Sequence, residues 1–389
     1  MKVLKVATYD WKNASRDKRE LSLYRELGHD VYVLCKGNTN DYLKRDIVDG
    51  FDVFRCTTRP CGSLLPRFIN RIASTIMWVK CIMKINPDVI SGENPNGAFI
   101  GVIAKKIIKN KNIKLIYDAH EFHLFAGKIS NLKRTALKLL EKYIIKNADL
   151  TIVVNNSILD EMTKIYRFKW NAISLLSTPS TFKINVDKVK SIREYYDSKI
   201  NNDHNRFIIE YHGIINKMRS IEILLELLSI NINLSLVLIG SIQDNYKQEL
   251  INYARDRGVI DRILFHDAVP IYELGNYINA ADLGIFVFKV FYKNLYYSLP
   301  NKFFEIIQSE KPLICSNFPE LRKIVSEYDI GLLADSDNVE NINLLVEKIR
   351  TNTILYNELT NNVIVAKKVY CWENEKFKLK DAFEKIVQN

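Results

Sequence analysis

Residues 295–321 read LYYSLPNKFFEIIQSEKPLICSNFPEL. Pro300 stands just before an apolar helical pattern, FFEIIQ, and a short polar turn leads into PLICS, an apolar run suited to a strand covered on both faces. The same alternation extends outward. FIIEYHG, LSLVLIG, RILFHDA and LGIFVF precede it, with helical patterns between them. Nearer the amino end, KVLKVATY, DVYVLC, FDVFRC, PDVISGE, IKLIYDAH and ADLTIVV repeat the rhythm, and Gly28 ends the first helix. Strands alternating with helices make βαβ units and a parallel sheet. Residues 178–206 interrupt the series with a polar, Lys/Asp/Ser/Asn-rich segment that reads as a domain junction. The fold class is therefore α/β, with two Rossmann-like domains facing a central cleft: 1–190, and 191–369, with a final helix 370–389 that can cross back onto the first.

The 389 residues are 47% hydrophobic and 26% charged, a globular composition. MKVLKVATYD reads as a buried strand and not a signal peptide. No stretch approaches the ~18 apolar residues of a membrane span. Six cysteines at 35, 56, 61, 81, 315 and 371 form no CxxC pair and fit reduced thiols in the cytoplasm. The net charge of +11 is uneven: residues 1–200 hold 35 Lys/Arg and 20 Asp/Glu, the remainder 21 and 25. Such an excess favours an anionic partner on the amino-terminal half, as a lipid head group, a lipid phosphate or nucleic acid would be. The stretch 61–85, CGSLLPRFINRIASTIMWVKCIMKI, interleaves large apolar residues with Arg67, Arg71, Lys80 and Lys84. It fits a helix in an anionic membrane interface with Trp78 at the boundary, or a helix packed on the first sheet with its basic flank in water.

The loop after the first strand has no glycine, so the GxGxxG dinucleotide fingerprint is absent, and no GxxxxGK[ST] loop occurs. Asp10, Arg16 and Arg19 stand there instead, the two arginines one helical turn apart. Asp118, His120 and Glu121 follow another strand, at the end where α/β proteins bind ligands. There His120 can take a proton or bond a sugar hydroxyl, with His123 as its exposed neighbour. In the second half, Gly213 allows close backbone approach, and Lys217 and Arg219 bring cations suited to a diphosphate. Gly240 marks a second turn on that side. At Pro300–Lys302 a helix amino end and a lysine favour an anion. Glu305, one turn further, fits the paired hydroxyls of a ribose.

These segments resemble the donor-binding signature of group-one (family four) retaining glycosyltransferases of the GT-B fold. Ser298, Pro300, Asn301, Lys302, Phe303 and Glu305 match its Pro-Asn-Lys-x-x-Glu element, followed by Pro312, Pro319, Glu320 and Gly331. HGIINKMRS is similar to the family's glycine loop with its basic residue, YINAADLGIFVF to the strand before the donor loop, and YDAHE to a His-Glu element. Tyr370–Trp372 is similar to the start of the returning helix. Three positions depart from the pattern: Tyr297 replaces a glutamate, Glu310 a glycine and Ile214 an arginine.

The resemblance implies a hexosyltransferase that moves a sugar from a UDP- or GDP-sugar, a substrate and not a cofactor, to a saccharide or lipid-linked saccharide. No metal, cofactor or nucleic-acid partner is expected. His120, Arg219 and Lys302 would be catalytic. Gly213, Lys217, Gly240, Ser298, Pro300, Asn301, Phe303 and Glu305 would hold the donor, and Asp10, Arg16, Arg19 and Glu121 the acceptor. Bacterial surface-polysaccharide synthesis (lipopolysaccharide or capsule) at the inner membrane face is the expected setting. A sugar-nucleotide epimerase of the same fold and a non-catalytic membrane-associated scaffold are the alternatives. Donor interconversion without acceptor marks the first, and failure to bind a donor the second.

Overall fold

In the computed structural model the described residues are 1–38, 40–59, 66–109, 111–200, 206–336 and 338–388. The first sheet is built from β1 (Lys2–Ala7), β2 (Asp30–Lys36), β3 (Tyr42–Val48), β4 (Phe51–Cys56), β5 (Val89–Glu93), β6 (Lys114–Ala119), β7 (Leu150–Val153) and β8 (Ala172–Ser174). Their order across the sheet is β3-β4-β2-β1-β5-β6-β7-β8. Every pairing is parallel except β3 with β4. The second sheet contains β9 (Phe207–His212), β10 (Leu234–Ile239), β11 (Ile263–His266), β12 (Leu283–Phe286), β13 (Leu313–Ser316) and β14 (Gly331–Ala334). Its order is β11-β10-β9-β12-β13-β14, all parallel.

Each strand expected from the sequence forms, because each is an apolar run flanked by turn or helix residues. Three strands escape that reading. β3 is an edge strand with mostly exposed, charged residues, and β8 and β14 are only three and four residues long. The polar junction is itself partly helical. It contains the helix Val186–Lys199, whose Asn185 side chain caps the Lys188 N–H. Tyr196 is its one fully buried residue, so its sequence lacks a clear apolar stripe.

Two units result. One is Met1–Leu176 with Tyr292–Leu295 and Glu375–Asn389, the other Ser177–Phe291 with Tyr296–Asn374. The chain passes from one to the other at Leu176/Ser177, ahead of the 190/191 boundary read from composition. The reason is local: the Phe182 N–H donates to Gln308 (3.2 Å) and the Asn185 N–H to Asn276 (2.8 Å), both in the second unit. Glu375 onward belongs with the first unit, where Phe383 lies 4.5 Å from Tyr24 between ring centroids and Lys376 pairs with Glu26.

Three helices of the first unit bear on function: α1 (Ser15–Glu26), α2 (Arg67–Ile85) and α3 (Asn94–Ile107). Gly28, at φ +81°, lets the chain turn out of α1. Helix α2 covers 67–85 of the basic-apolar stretch, and residues 61–65 fall outside the described residues. It buries Trp78, Val79, Cys81, Ile82 and Ile85. Trp78 is fully buried, its indole N–H on the Thr57 carbonyl (2.9 Å), so it does not take the boundary position expected for it.

Candidate functional site

In the second unit the carboxyl end of β9 carries the donor-type residues. Gly213 follows His212 at φ +101°, and Gly240 follows β10 at φ +146°. A Cβ on Gly240 would lie 2.0 Å from the Gly213 carbonyl oxygen. Gly240 is therefore required for the two turns to touch, and its contribution is to the shape of the Gly213 loop. A Cβ on Gly213 would stand 3.7 Å from both Cε and Nζ of Lys302. The glycine leaves open the space in front of that ammonium.

Lys302 is half-buried in the first turn of the helix Asn301–Gln308, its Nζ 3.6 Å from the centroid of the Tyr211 ring. Pro300, with ψ of 150°, precedes the helix and turns the chain into it. Burial pushes the Lys302 ammonium down to about 7, helped by the Arg219 charge and opposed by Glu210 and Glu305. Arg219 closes the short turn Lys217–Arg219 and is half-buried. Neither Arg219 nor Lys302 makes an ion pair among the described residues. Two close cations without a counter-ion are costly unless an anion joins them.

Lys217 does not join them. Its ammonium is exposed and pairs with Glu249 at 2.6 Å, so the expected third cation points to a neighbouring helix. Phe303 is also displaced from its expected role. Its ring is fully buried against Phe304 and Phe286, and its N–H is used on the Pro300 carbonyl. Asn301 is exposed, and Ser298 and Pro300 are half-buried beside it. Tyr297, at the position of the missing glutamate, packs edge-on to Tyr296.

Glu305 is held by a residue the sequence reading passed over. His212, the last residue of β9, is buried and sits between two carboxylates: Nδ1 is 3.0 Å from Glu210 and Nε2 is 2.9 Å from Glu305. Carboxylates accept only, so both ring nitrogens carry hydrogen. Burial lowers the His212 affinity for a proton, but Glu210 and Glu305 outweigh it and raise the imidazolium to about 9.

In the first unit a buried charge cluster occupies the carboxyl ends of β1, β5 and β6. Lys5 Nζ lies 2.9 Å from Asp17, 3.3 Å from Glu20 and 2.5 Å from Asp118. Arg16 adds bonds to Glu20 (2.8 Å) and Asp118 (3.3 Å). His120 bridges Asp118 through Nε2 (2.8 Å) and Glu93 through Nδ1 (2.9 Å). Burial opposes the imidazolium, but Asp118 and Glu93 raise it to about 10. Both nitrogens are donors to carboxylates, so His120 holds no lone pair to take a proton. In this arrangement the ring stands as an imidazolium, which can face an anion or a developing charge.

Burial acts against Asp118 too, yet His120, Lys5 and Arg16 keep its carboxyl well below the usual range. Burial raises Asp17 and Glu20. Tyr9 O–H meets both Asp17 (2.9 Å) and Glu93. A hydroxyl donates once, so Tyr9 serves one of these two carboxylates at a time.

Arg16 is thus a buried counter-ion and not an anion receptor beside Arg19. Arg19 is half-buried on the same helix. Asp10 is exposed, caps the Lys12 N–H and lies 3.6 Å from Arg55. Glu121 is exposed next to His120. His123 is half-buried and bonds Asn94 through Nε2 (2.9 Å), and burial beside His120 lowers it to about 4. Asp17, Glu93 and His120, or Glu20, Asp118 and His120, have the spacing of three metal ligands. Lys5 and Arg16 already supply the positive charge among these carboxylates.

Two largely parallel α/β sheets, each with titratable groups gathered where its strands end, have the architecture of the GT-B glycosyltransferases. The chain belongs to the group-one glycosyltransferases: "Glycosyl transferases group 1" matches residues 192–365 and "Glycosyltransferase Family 4" residues 21–179. No curated protein matches it in sequence. Among solved structures, sucrose-phosphate synthase from Thermosynechococcus elongatus superposes with a TM-score of 0.77 at 15% identity, over 100% of both chains. HepE from Anabaena, in complex with UDP, gives 0.78 at 12% identity over 99% of this chain and 100% of its own. WaaG, a glycosyltransferase involved in lipopolysaccharide biosynthesis, gives 0.64 at 15% over 98% of each. The family, the fold class and the glycosyltransferase activity expected from the sequence are borne out.

Proposed function

We propose that the enzyme transfers a sugar from a UDP- or GDP-sugar to a saccharide or lipid-linked saccharide, with retention and without metal or cofactor, in bacterial surface-polysaccharide synthesis. The second unit takes the donor and the first the acceptor. The observation that carries the donor reading is the Lys302–Arg219 pair, two cations without an ion-pair partner among the described residues, beside the open Gly213 turn and a helix amino end. They neutralise a diphosphate whose charge grows as the glycosidic bond breaks, which makes a metal unnecessary. HepE, with UDP and UDP-glucose bound, has the same fold and supports a nucleotide-sugar donor. WaaG supports a polysaccharide setting. A thermal-shift screen against UDP-, GDP- and CMP-sugars tests the reading. The preferred donor at a hundred times its Kd adds about 2.7 kcal/mol and raises Tm. No shift with any of them sinks the proposal.

The acceptor side rests on α2. No helix among the described residues is long and apolar enough to cross a membrane. On α2, however, Phe68, Ile69, Ile72, Ile76 and Met83 are exposed, on the side opposite the buried face. At 100° per residue Lys80 and Lys84 flank this stripe on one side and Arg71 stands beyond its other edge, while Arg67, at the start of the helix, falls at the angle of Ile85. An apolar stripe between cations suits an anionic lipid surface. A cavity of about 1090 Å³ runs beside it, lined by Phe68, Ile76, Phe99 and Ile103 together with Arg59 and Arg71, and suits a lipid-linked acceptor. Co-sedimentation with liposomes should rise with anionic lipid, fall with salt, and drop when Arg67, Arg71, Lys80 and Lys84 become Gln. Absence of binding to fully anionic liposomes at low salt refutes it.

A further inference from the structure

We infer that His212 is a positioning residue that fixes the Glu305 carboxylate for the ribose hydroxyls of the donor nucleotide. The inference rests on the donor reading above and names a residue through which that site acts. Glu210 is fully buried within β9, where its main chain cannot shift, and it holds Nδ1 of the ring. With the ring plane set, Nε2–H points at one oxygen of Glu305, Oε2, at 2.9 Å. Among the described residues no donor reaches the other oxygen, Oε1, although the Glu305 side chain is only 14% exposed. A carboxylate with one oxygen tied down and one left over is a directed acceptor. A vicinal diol supplies the matching donors.

A glutamate in the first turns of a helix has three side-chain torsions to order before it can bind anything. Loss of that freedom weakens each bond it makes. His212 removes the freedom in advance, so the ribose contacts are made by a preorganised group. The sequence Glu210-Tyr211-His212 achieves this because alternate residues of a strand share a face. Glu210 and His212 thus lie on one side of β9, with Tyr211, which supports Lys302, on the other.

The test compares uridine and guanosine 5′-diphosphates with their 2′-deoxy forms by calorimetry. His212→Leu alone would strand the buried Glu210 carboxylate, so the double variant Glu210→Leu/His212→Leu is used, which removes the buried pair together. Its Tm confirms folding. Wild type should prefer the better ribonucleotide about tenfold over its deoxy form, as expected for hydrogen bonds to a charged acceptor. In the double variant the preference should shrink to about threefold or less, with the ribonucleotide losing more affinity than the deoxy form, which keeps only the 3′-hydroxyl. A folded double variant that keeps the full preference overturns the inference, as does one that weakens on both nucleotides equally. A wild type with no preference overturns the assignment of Glu305 to ribose itself.

Discussion

Arg219→Ala lowers the rate of donor turnover by about 10²–10³-fold while donor affinity changes by less than about tenfold. The asymmetry follows from where charge develops. A nucleoside diphosphate esterified to a sugar carries less negative charge on its distal phosphate than the departing diphosphate does. A fixed guanidinium is therefore worth more in the transition state than in the ground state. Slow acceptor-free hydrolysis of the preferred nucleotide-sugar gives kcat and KM before the acceptor is known. A KM effect with kcat intact would reduce Arg219 to uniform binding. Arg219→Lys restores only part, since an ammonium lacks the planar fork.

Lys302 adds a pH signature to the same experiment. Its free-enzyme value of about 7 comes from burial and from the Arg219 charge. A bound diphosphate supplies the missing anion and raises that value. At pH 8 the free enzyme carries mostly neutral Lys302, and binding must take up a proton. Donor Kd therefore rises with pH above about 7, by up to tenfold per unit, and the rise disappears in Lys302→Met. Calorimetry in buffers of different ionisation enthalpy counts the proton directly.

Much of this arrangement is visible in the residue string because its causes are local. Apolar runs ended by Gly213 and Gly240 announce strands with tight turns, and Pro300–Lys302 announces a helix start. Glu310 shows the same logic in reverse. The family's glycine is absent there, yet the backbone keeps a left-handed φ of 60°, and the Glu310 carboxylate pairs with Lys367 at 2.7 Å. What escaped the sequence are partners chosen across the fold. Lys217 and Arg219 lie two residues apart, and only the position of Glu249 decides that one of them turns away. Arg16 reads as an anion receptor until Glu20 and Asp118 are seen to enclose it. Lys5, a charge in the middle of the apolar run KVLKVA, was the signal that buried carboxylates must converge on β1.

Lys5→Met destabilises the first unit by about 3–5 kcal/mol, the cost of removing one partner from a buried ionic cluster. Asp17, Glu20 and Asp118 all lie within 3.3 Å of the lost ammonium, and none is exposed enough for water to replace it. Arg16 remains but faces Glu20 and Asp118, and His120 bonds Asp118 and Glu93 while standing 3.6 Å from Asp17, whose nearer partners are Tyr9 and the Trp11 indole, 3.1 Å away. Urea denaturation followed by tryptophan fluorescence reads this unit, because Trp11, Trp78 and Trp170 belong to it and only Trp372 to the other. The deficit depends on pH with a definite sign. Without Lys5 the folded-state carboxyls at 17 and 20, already raised by burial, rise further above their unfolded values. The folded variant then binds more protons than the unfolded chain, so its stability relative to wild type improves as pH falls from 8 toward 5. Lys12→Met, at an exposed position, serves as the control. A Lys5→Met protein as stable as that control at pH 8 would mean that the carboxylates are neutralised by protons alone and that Lys5 is not their counter-ion.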